Sequence, residues 1–302
     1  MEPRRVAFLG LGSMGLPMAT NVARAGFLTT GFDPKREQVE AFSVAGGHAA
    51  RSPQEAAVGA DIVLAIPFDG HQVRQVLLGP DGALDGLEPG GTVVVMSTIG
   101  ARMVKDIARD VQARGFRVVD APVTGGVQGA KAGELTIIAS GSAEAMERAR
   151  PVLQPMARVV HEVGAEPGDG QFVKLLNQLL VGVHIVASSE AVGMAAAAGI
   201  DLKKAYDVLC DGFGRSEVFA ARVKSVLDQS LTTGGALSIF LKDLPLVQEA
   251  AGELGVPAFT LASAVQVFQL AERVLPAGAD DAHLIDWARR VASGEVSDAP
   301  AV

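Results

Sequence analysis

The chain has 302 residues, 49% of them hydrophobic and 20% charged, with a formal net charge of −8. That length holds one large domain or two ordinary ones with substantial cores. The acidic balance, with no cluster of lysines and arginines, excludes a basic nucleic-acid-binding face.

Cys210 is the one cysteine. It rules out an intrachain disulfide and any metal site built on paired cysteines, and it suits a reducing compartment. The opening MEPRRVAFLGLG sets two arginines before apolar residues, as a secretory signal does. Glycines break that run within five residues and no clear apolar h-region follows. The expectation is a cytoplasmic protein with no metal.

In chain order, β-rich runs occur at VAFLG (6–10), FLTTGF (27–32), DIVLAI (61–66), TVVVMS (92–97), FRVVDAPV (116–123), LTIIAS (135–140) and RVVHEV (158–163). Helical spacing fills several gaps, in PMATNVARAG, KREQVEAFSVAG and ARMVKDIARDVQARG. Strands alternating with helices of this length predict crossovers and a mostly parallel, doubly wound α/β sheet. The early strands are almost continuously apolar, as expected when both faces of the sheet are covered.

The character changes near Gly164, where GAEPGDG forms a link. A long apolar segment follows, QFVKLLNQLLVGVHIVASSEAVGMAAAAGI, whose formally charged residues are Lys174 and Glu190. About 30 helical residues would span roughly 45 Å. A transmembrane span is one reading. Asn177, Gln178, His184, Ser188, Ser189 and Glu190 would each need a partner in lipid, so a buried helix of a soluble protein is preferred, with no membrane partner. Asp201 is placed to cap the next helix. From there the chain reads as all helix, and SDAPAV at the end is expected to fray. The predicted division is a dinucleotide-binding domain over 1–165 and an all-α substrate and oligomerisation domain over 166–302.

FLGLGSMGLPMA (8–19) carries G-x-G-x-x-G between the first strand and the first helix. Gly10 allows a sharp turn, Gly12 lets a pyrophosphate approach the backbone, and Gly15 lets the helix pack closely. The helix N-terminus then offers free N–H groups to phosphates. The second strand ends at Asp33, 18 residues past Gly15, near the spacing at which an acid binds ribose hydroxyls. A carboxylate there repels a 2′-phosphate, which favours NAD over NADP. Lys35 and Arg36 pull the other way, and Asp33 also reads as a turn residue ahead of Pro34.

Three further stretches carry polar groups. STIG (97–100) ends a strand, so Ser97 and Thr98 can reach a ligand at the carboxyl edge; a Ser/Thr cap of the following helix is the other reading, and both can hold. DAPVTGGVQGAKAGELTI (120–137) places Thr124, Gly125 and Gly126 after a strand, a turn whose N–H groups can hold a carboxylate; a mobile loop punctuated by Gly129 and Gly133 is the alternative. In FVKLLNQLL, Lys174, Asn177 and Gln178 share a helix face. A lysine in a dry setting exchanges protons near neutral pH; a solvated surface lysine is the ordinary case. Lys242–Asp243 in IFLKDLPL reads first as a helix-surface ion pair.

These stretches together resemble the β-hydroxyacid dehydrogenases, the family of 3-hydroxyisobutyrate dehydrogenase and, more distantly, 6-phosphogluconate dehydrogenase. FLGLGSMGLPMA, DAPVTGGVQGAKAGELTI, GDGQFVKLLNQ and FLKDL match in order and spacing over almost the whole chain. The resemblance implies a Rossmann domain followed by an all-α domain entered through a long interdomain helix, a homodimer or homotetramer, and oxidation of a small hydroxy acid by hydride transfer to NAD. It places Gly10, Leu11, Gly12, Ser13, Met14 and Gly15 in the cofactor loop, with Asp33, Pro67, Phe68, Thr98 and Lys242 also at the cofactor. It gives Thr124, Gly125 and Gly126 the substrate carboxylate and makes Lys174 the acid/base, with Asn177 and Gln178 beside it. The family usually has asparagine where this chain has Gln178, which leaves the substrate geometry open.

NQLLVGVHI and GRSEVF look most like the threonate-type dehydrogenases, acting on four-carbon sugar acids; His184 then lines the pocket, or is a core histidine bonded to a backbone carbonyl. A 3-hydroxyisobutyrate dehydrogenase, a 2-hydroxy-3-oxopropionate (tartronate semialdehyde) reductase and a non-catalytic NAD-binding regulator are the alternatives. Imine reductases share the architecture but usually lack the lysine.

Overall fold

The computed structural model describes residues 5–295; the tail SDAPAV, expected to fray, lies outside the described residues. The chain forms two compact units that divide between Lys174 and Leu175.

The first unit contains β1 (Arg5–Leu9), α1 (Gly15–Arg24), β2 (Leu28–Phe32), α2 (Arg36–Val44), β3 (His48–Ala49), α3 (Pro53–Ala57), β4 (Ile62–Ala65), α4 (Gly70–Leu78) and β5 (Thr92–Val95). It continues through α5 (Ala101–Ala113), β6 (Arg117–Asp120), β7 (Val123–Thr124), α6 (Gly126–Ala132), β8 (Leu135–Gly141), α7 (Ala143–Leu153) and β9 (Ala157–Gly164). Strands β3-β2-β1-β4-β5-β6 are parallel neighbours in that order. β8 then joins β6 antiparallel, β7 pairs antiparallel with β8, and β9 runs parallel to β8. β1 lies between β2 and β4, so the strand order reverses there. Ligands of open α/β sheets bind at the carboxyl edge beside such a reversal.

The near-continuous apolar strands follow from the two covered faces. Val6, Phe8, Ile62, Leu64 and Val94 pack with Met18, Val22 and Phe42 on one side. Ala7, Leu9, Val63, Ala65, Val93 and Val95 pack with Val73, Leu77, Val104 and Ile107 on the other. Each strand places its alternate residues in different cores, as the two-residue period requires.

The expected strands all form, with one difference. FRVVDAPV is broken into β6 and β7, because Pro122 has no N–H to continue the β6 ladder; its carbonyl accepts the N–H of Ile138 instead. The two-residue β3, beside Thr30 and Gly31, is too short to leave an alternation to read.

The first loop is built by close approach. Gly10 has φ +95°, and a Cβ on it would lie 2.9 Å from the carbonyl carbon and oxygen of Ile66. A Cβ on Gly15 would lie 1.9 Å from the Gly10 carbonyl oxygen. Only glycine allows α1 to begin so close to the turn that precedes it.

The helix α8 (Asp169–Ala197) starts in the first unit and runs on into the second. It is followed by α9 (Leu202–Asp211), α10 (Glu217–Leu227), α11 (Leu237–Glu253), α12 (Phe259–Val274) and α13 (Ala282–Ala292). Asp201 caps α9 as expected, its side chain accepting the Lys204 N–H. By length and composition α8 is apolar enough to cross a membrane. Gln171, Lys174, Gln178, Ser188 and Ser189 on it are nevertheless buried inside protein. The second unit's main core joins Leu244, Leu261, Phe268 and Leu284, with the rings of Phe240 and Phe268 stacked 5.0 Å apart.

A buried polar knot closes the loop before α11. Asp280 accepts N–H groups from Thr233, Gly234 and Gly235. Asp281, without solvent exposure, meets Arg222 at 3.0 Å and the Thr233 hydroxyl at 3.0 Å. Burial pushes the Asp281 pKa up to about 6, against the pull of Arg222. The folded state therefore holds this proton more tightly than the unfolded chain, whose carboxyl titrates near its ordinary value of 3.8.

Two outcomes follow. The stability contributed by Asp281 protonation is complete below about pH 4 and is lost as pH rises through about 6. Relative to D281N, wild-type stability should fall by about 1–3 kcal/mol across that window, read from urea unfolding at pH 4 and pH 7. Gly15→Ala should destabilise the first unit by about 1–3 kcal/mol, the cost of overpacking, read from the urea midpoint.

Candidate active site

At the carboxyl edge of β1 an added Cβ on Gly12 would meet no heavy atom within 4 Å, so the loop's surface is open at that point. Asp33, at the end of β2, faces this loop. One carboxylate oxygen accepts the Leu11 N–H at 2.8 Å and the other accepts the Lys35 N–H at 2.9 Å. The turn reading and the loop-facing reading of Asp33 both hold. Lys35 and Arg36 are exposed. Ser13 and Met14 complete the loop, Ser13 exposed and Met14 half-buried.

Beyond β4, the Pro67 carbonyl accepts the Ser97 hydroxyl. Phe68 is 49% exposed, and its N–H donates to the Gln72 side chain. The expectation that Ser97 or Thr98 caps α5 is not met: the cap position is Gly100, with φ +83° and no side-chain cap. The donors are satisfied from elsewhere in the chain. Gln171 Oε1 accepts the N–H of Ile99 at 2.8 Å and of Gly100 at 3.0 Å. Gln171 Nε2 donates to the Ser97 carbonyl at 2.9 Å and to Asp120 Oδ1 at 2.7 Å.

Asp120 ends β6 with no solvent exposure. Its Oδ2 accepts the N–H of Gly168 at 3.0 Å and of Gln171 at 2.8 Å, and the Ser140 hydroxyl lies 3.4 Å from it. Burial pushes its pKa up to about 6, while these donors favour the ionised form. At neutral pH a carboxylate thus sits at the start of α8, where the helix dipole favours it. The approach is tight: a Cβ on Gly170 would lie 2.7 Å from the Ile138 carbonyl oxygen. Neither Asp120 nor Gln171 stands out in sequence, although both lie inside quoted motifs. The available signal is position, since Gln171 is one turn before Lys174.

Lys174 is 7% exposed. The reading of a solvated surface lysine therefore fails. Thr124 ends β7, and Gly125 (φ +127°) and Gly126 (φ +64°) turn the chain into α6. The mobile-loop alternative is replaced by structure here: Gly129 lies within α6 and Gly133 ends it in the left-handed conformation.

Within the second unit, Asn177 Nδ2 donates to Gln178 Oε1 at 3.0 Å and Gln178 Nε2 donates to Asp243 Oδ2 at 2.6 Å. Lys242 pairs with the other Asp243 oxygen. Asp243 is 1% exposed, so this is a buried acid with a partly buried lysine and not the surface ion pair expected. His184 is half-buried on α8. Among the described residues no group of three or more His, Cys, Asp or Glu side chains is placed to hold a metal ion. A hollow of about 520 Å³ lined by Arg5, Asp61, Glu88 and Arg148 lies by the amino ends of β1, β4 and β5, away from the carboxyl edge where open α/β sheets take ligands.

Residues 5–164 match the family model described as the NAD binding domain of 6-phosphogluconate dehydrogenase. Residues 168–288 match that described as NAD-binding of NADP-dependent 3-hydroxyisobutyrate dehydrogenase. The chain is 40% identical to an L-threonate dehydrogenase of Escherichia coli O6:H1 over 93% of each chain. It is 35% identical to an NAD-dependent L-serine dehydrogenase of Pseudomonas aeruginosa over 82% of this chain and 85% of the relative. A crystal structure of 3-hydroxyisobutyrate dehydrogenase from Salmonella typhimurium superposes with a TM-score of 0.85 at 38% identity, covering 94% of this chain and 99% of that one. With a glycine loop at the sheet's reversal and a buried lysine in the first turns of α8, the chain belongs to the β-hydroxyacid dehydrogenase family of the 3-hydroxyisobutyrate dehydrogenase type, and is an NAD-dependent hydroxyacid dehydrogenase.

Proposed function

We propose that the chain oxidises a hydroxy acid of three to five carbons, with Lys174 as the acid/base and a four-carbon sugar acid such as threonate as the leading substrate. The observation that carries this reading is the burial of Lys174 one helical turn after Gln171, whose amide is bonded to the 97–100 turn. The L-threonate dehydrogenases among the relatives support the substrate. The L-serine dehydrogenase supports a second one, a three-carbon hydroxy acid bearing an amine.

The Gly10–Gly15 loop fits a dinucleotide: the open surface at Gly12 admits a pyrophosphate and α1 presents its N-terminus to it. Leu11, Ser13, Met14, Pro67, Phe68 and Thr98 complete that side of the site. When bound, NAD supplies the acceptor for the hydride. Asp33 carries negative charge at the end of β2, which disfavours a 2′-phosphate. Thr124, Gly125 and Gly126 hold the substrate carboxylate on their N–H groups. Lys174, as a neutral amine, takes the proton of the reacting hydroxyl; as an ammonium it returns it in the reverse direction. Asn177 and Gln178 set the polar lining near the lysine, with Gln178 turned toward Asp243.

Residues 1–165 serve the dinucleotide and 166–302 the substrate and assembly. On α8, Leu176, Leu180, Ala187, Ala191 and Met194 are exposed. Their spacing of three to four residues, with a gap over Val183, makes a mostly apolar stripe that the exposed Glu190 interrupts, and it supports a homodimer or homotetramer that covers it. The polar residues buried along α8 support a cytoplasmic enzyme over a membrane span.

A panel of three- to five-carbon hydroxy acids with NAD or NADP, followed by absorbance of the reduced cofactor, should show turnover of L-threonate with NAD preferred. No turnover of any panel acid would reject the assignment. Lys174→Ala should lower turnover at least about a hundredfold while NAD binding by calorimetry stays near wild type. Asp33→Ala should weaken NAD and narrow the preference over NADP by about tenfold or more, one hydrogen-bonded or repulsive contact's worth; an unchanged ratio of kcat/KM would remove Asp33 from the site.

A further inference from the structure

We propose that Gln171 is a positioning residue for this reaction, setting the separation between the 97–100 turn and Lys174 through a single buried carboxamide. The inference rests on the acid/base reading of Lys174 and goes beyond it to a residue that touches neither substrate nor cofactor.

A glutamine amide has two acceptor positions and two N–H donors. All four are used. Oε1 accepts from Ile99 and Gly100, the N–H groups at the start of α5. Nε2 donates to the Ser97 carbonyl and to Asp120. Gln171 has no solvent exposure, so water cannot replace any of these partners. Flipping the amide would set N–H against N–H and oxygen against the Asp120 carboxylate. One orientation remains.

That orientation ties three elements. Thr98 lies in the turn between the Ser97 carbonyl and the Ile99 N–H, so both flanks of Thr98 are held. The Gln171 backbone N–H donates to Asp120 Oδ2 at 2.8 Å, which fixes the first turn of α8 to the end of β6. Lys174 is three residues along the same helix and on the same face. A shift of the first turn of α8 moves the lysine with it. Gln171→Met keeps the length and apolar stem but supplies none of the four bonds, and it leaves two buried N–H groups without an acceptor. Misplacing a reacting group by about 1 Å can cost a hundredfold in rate.

The experiment compares wild type, Q171M, Q171E and K174A, using whichever panel acid turns over fastest, unlabelled and deuterated at its carbinol carbons. For Q171M the expected result is a ten- to hundredfold lower kcat per NAD-binding site, a KM for NAD within about twofold of wild type, and a larger deuterium isotope effect as hydride transfer becomes rate-limiting. Q171E retains the acceptor for Ile99 and Gly100 but sets a second carboxyl oxygen against the Ser97 carbonyl and Asp120. At neutral pH it should therefore lose at least as much as Q171M, and recover part of the loss as the pH falls and the two carboxyl groups share a proton. If Q171M does not fold, Q171E compared with wild type between pH 5 and pH 8 carries the same readouts, since only its protonated form can donate in place of the amide. A purely structural role predicts fewer active molecules with kcat per binding site and isotope effect unchanged, and that result would overturn the proposal. Normal turnover by K174A would instead reject the reading of Lys174, so the two failures are separable.

Discussion

A carboxyl group buried at the end of β6 organises the carboxyl edge of the first unit. Taking Asp120 out of water costs several kcal/mol unless donors replace its hydration. Here backbone N–H groups of Gly168 and Gln171, the Gln171 amide and the Ser140 hydroxyl converge on it. The result joins three segments distant in sequence: the end of β6, the turn after β5 and the start of α8. Each is thereby held against the carboxyl edge of the sheet. The pKa raised to about 6 records that the burial is costly even with these partners.

The same junction explains how a long, mostly apolar helix can carry a lysine. Lys174 emerges one turn after the anchored residue, in a buried position. A flexible side chain on a loosely docked helix would spend its time in water and titrate like any surface amine. Fixing the helix start fixes where the amine begins. The glycine loop uses a complementary device. Gly10 and Gly15 are packed so closely that any side chain would collide with backbone, while the space over Gly12 is left open.

Much of this architecture was legible because it is local. Alternate residues of VAFLG and TVVVMS segregate to two cores, which is what a nearly continuous apolar run means in a covered parallel sheet. The G-x-G-x-x-G turn, the Asp33 position and the Asp201 cap all depend on neighbours within a few residues or on one strand spacing. What escaped depends on distant partners. The donors at the start of α5 are met by Gln171, more than 70 residues away, so the serine and threonine of STIG looked like caps and are not. FRVVDAPV looked like one strand because Pro122 is flanked by good strand formers. Lys242–Asp243 looked like a surface pair because nothing local shows that Gln178, 65 residues earlier, covers the aspartate. Reaction class was readable from motif order; substrate identity was not, since it turns on side-chain geometry that no local pattern encodes.

The central claim is that the Lys174 amine handles the proton of the reacting hydroxyl. A crystal structure of the enzyme with its cofactor and a non-reacting analogue of the hydroxy acid tests it most directly. The account predicts the Lys174 Nζ within about 2.6–3.2 Å of that hydroxyl, the reach of a general base, with the carboxylate on the amides of Thr124–Gly126. A hydroxyl held by another side chain, with the amine of Lys174 out of hydrogen-bonding range, would contradict it.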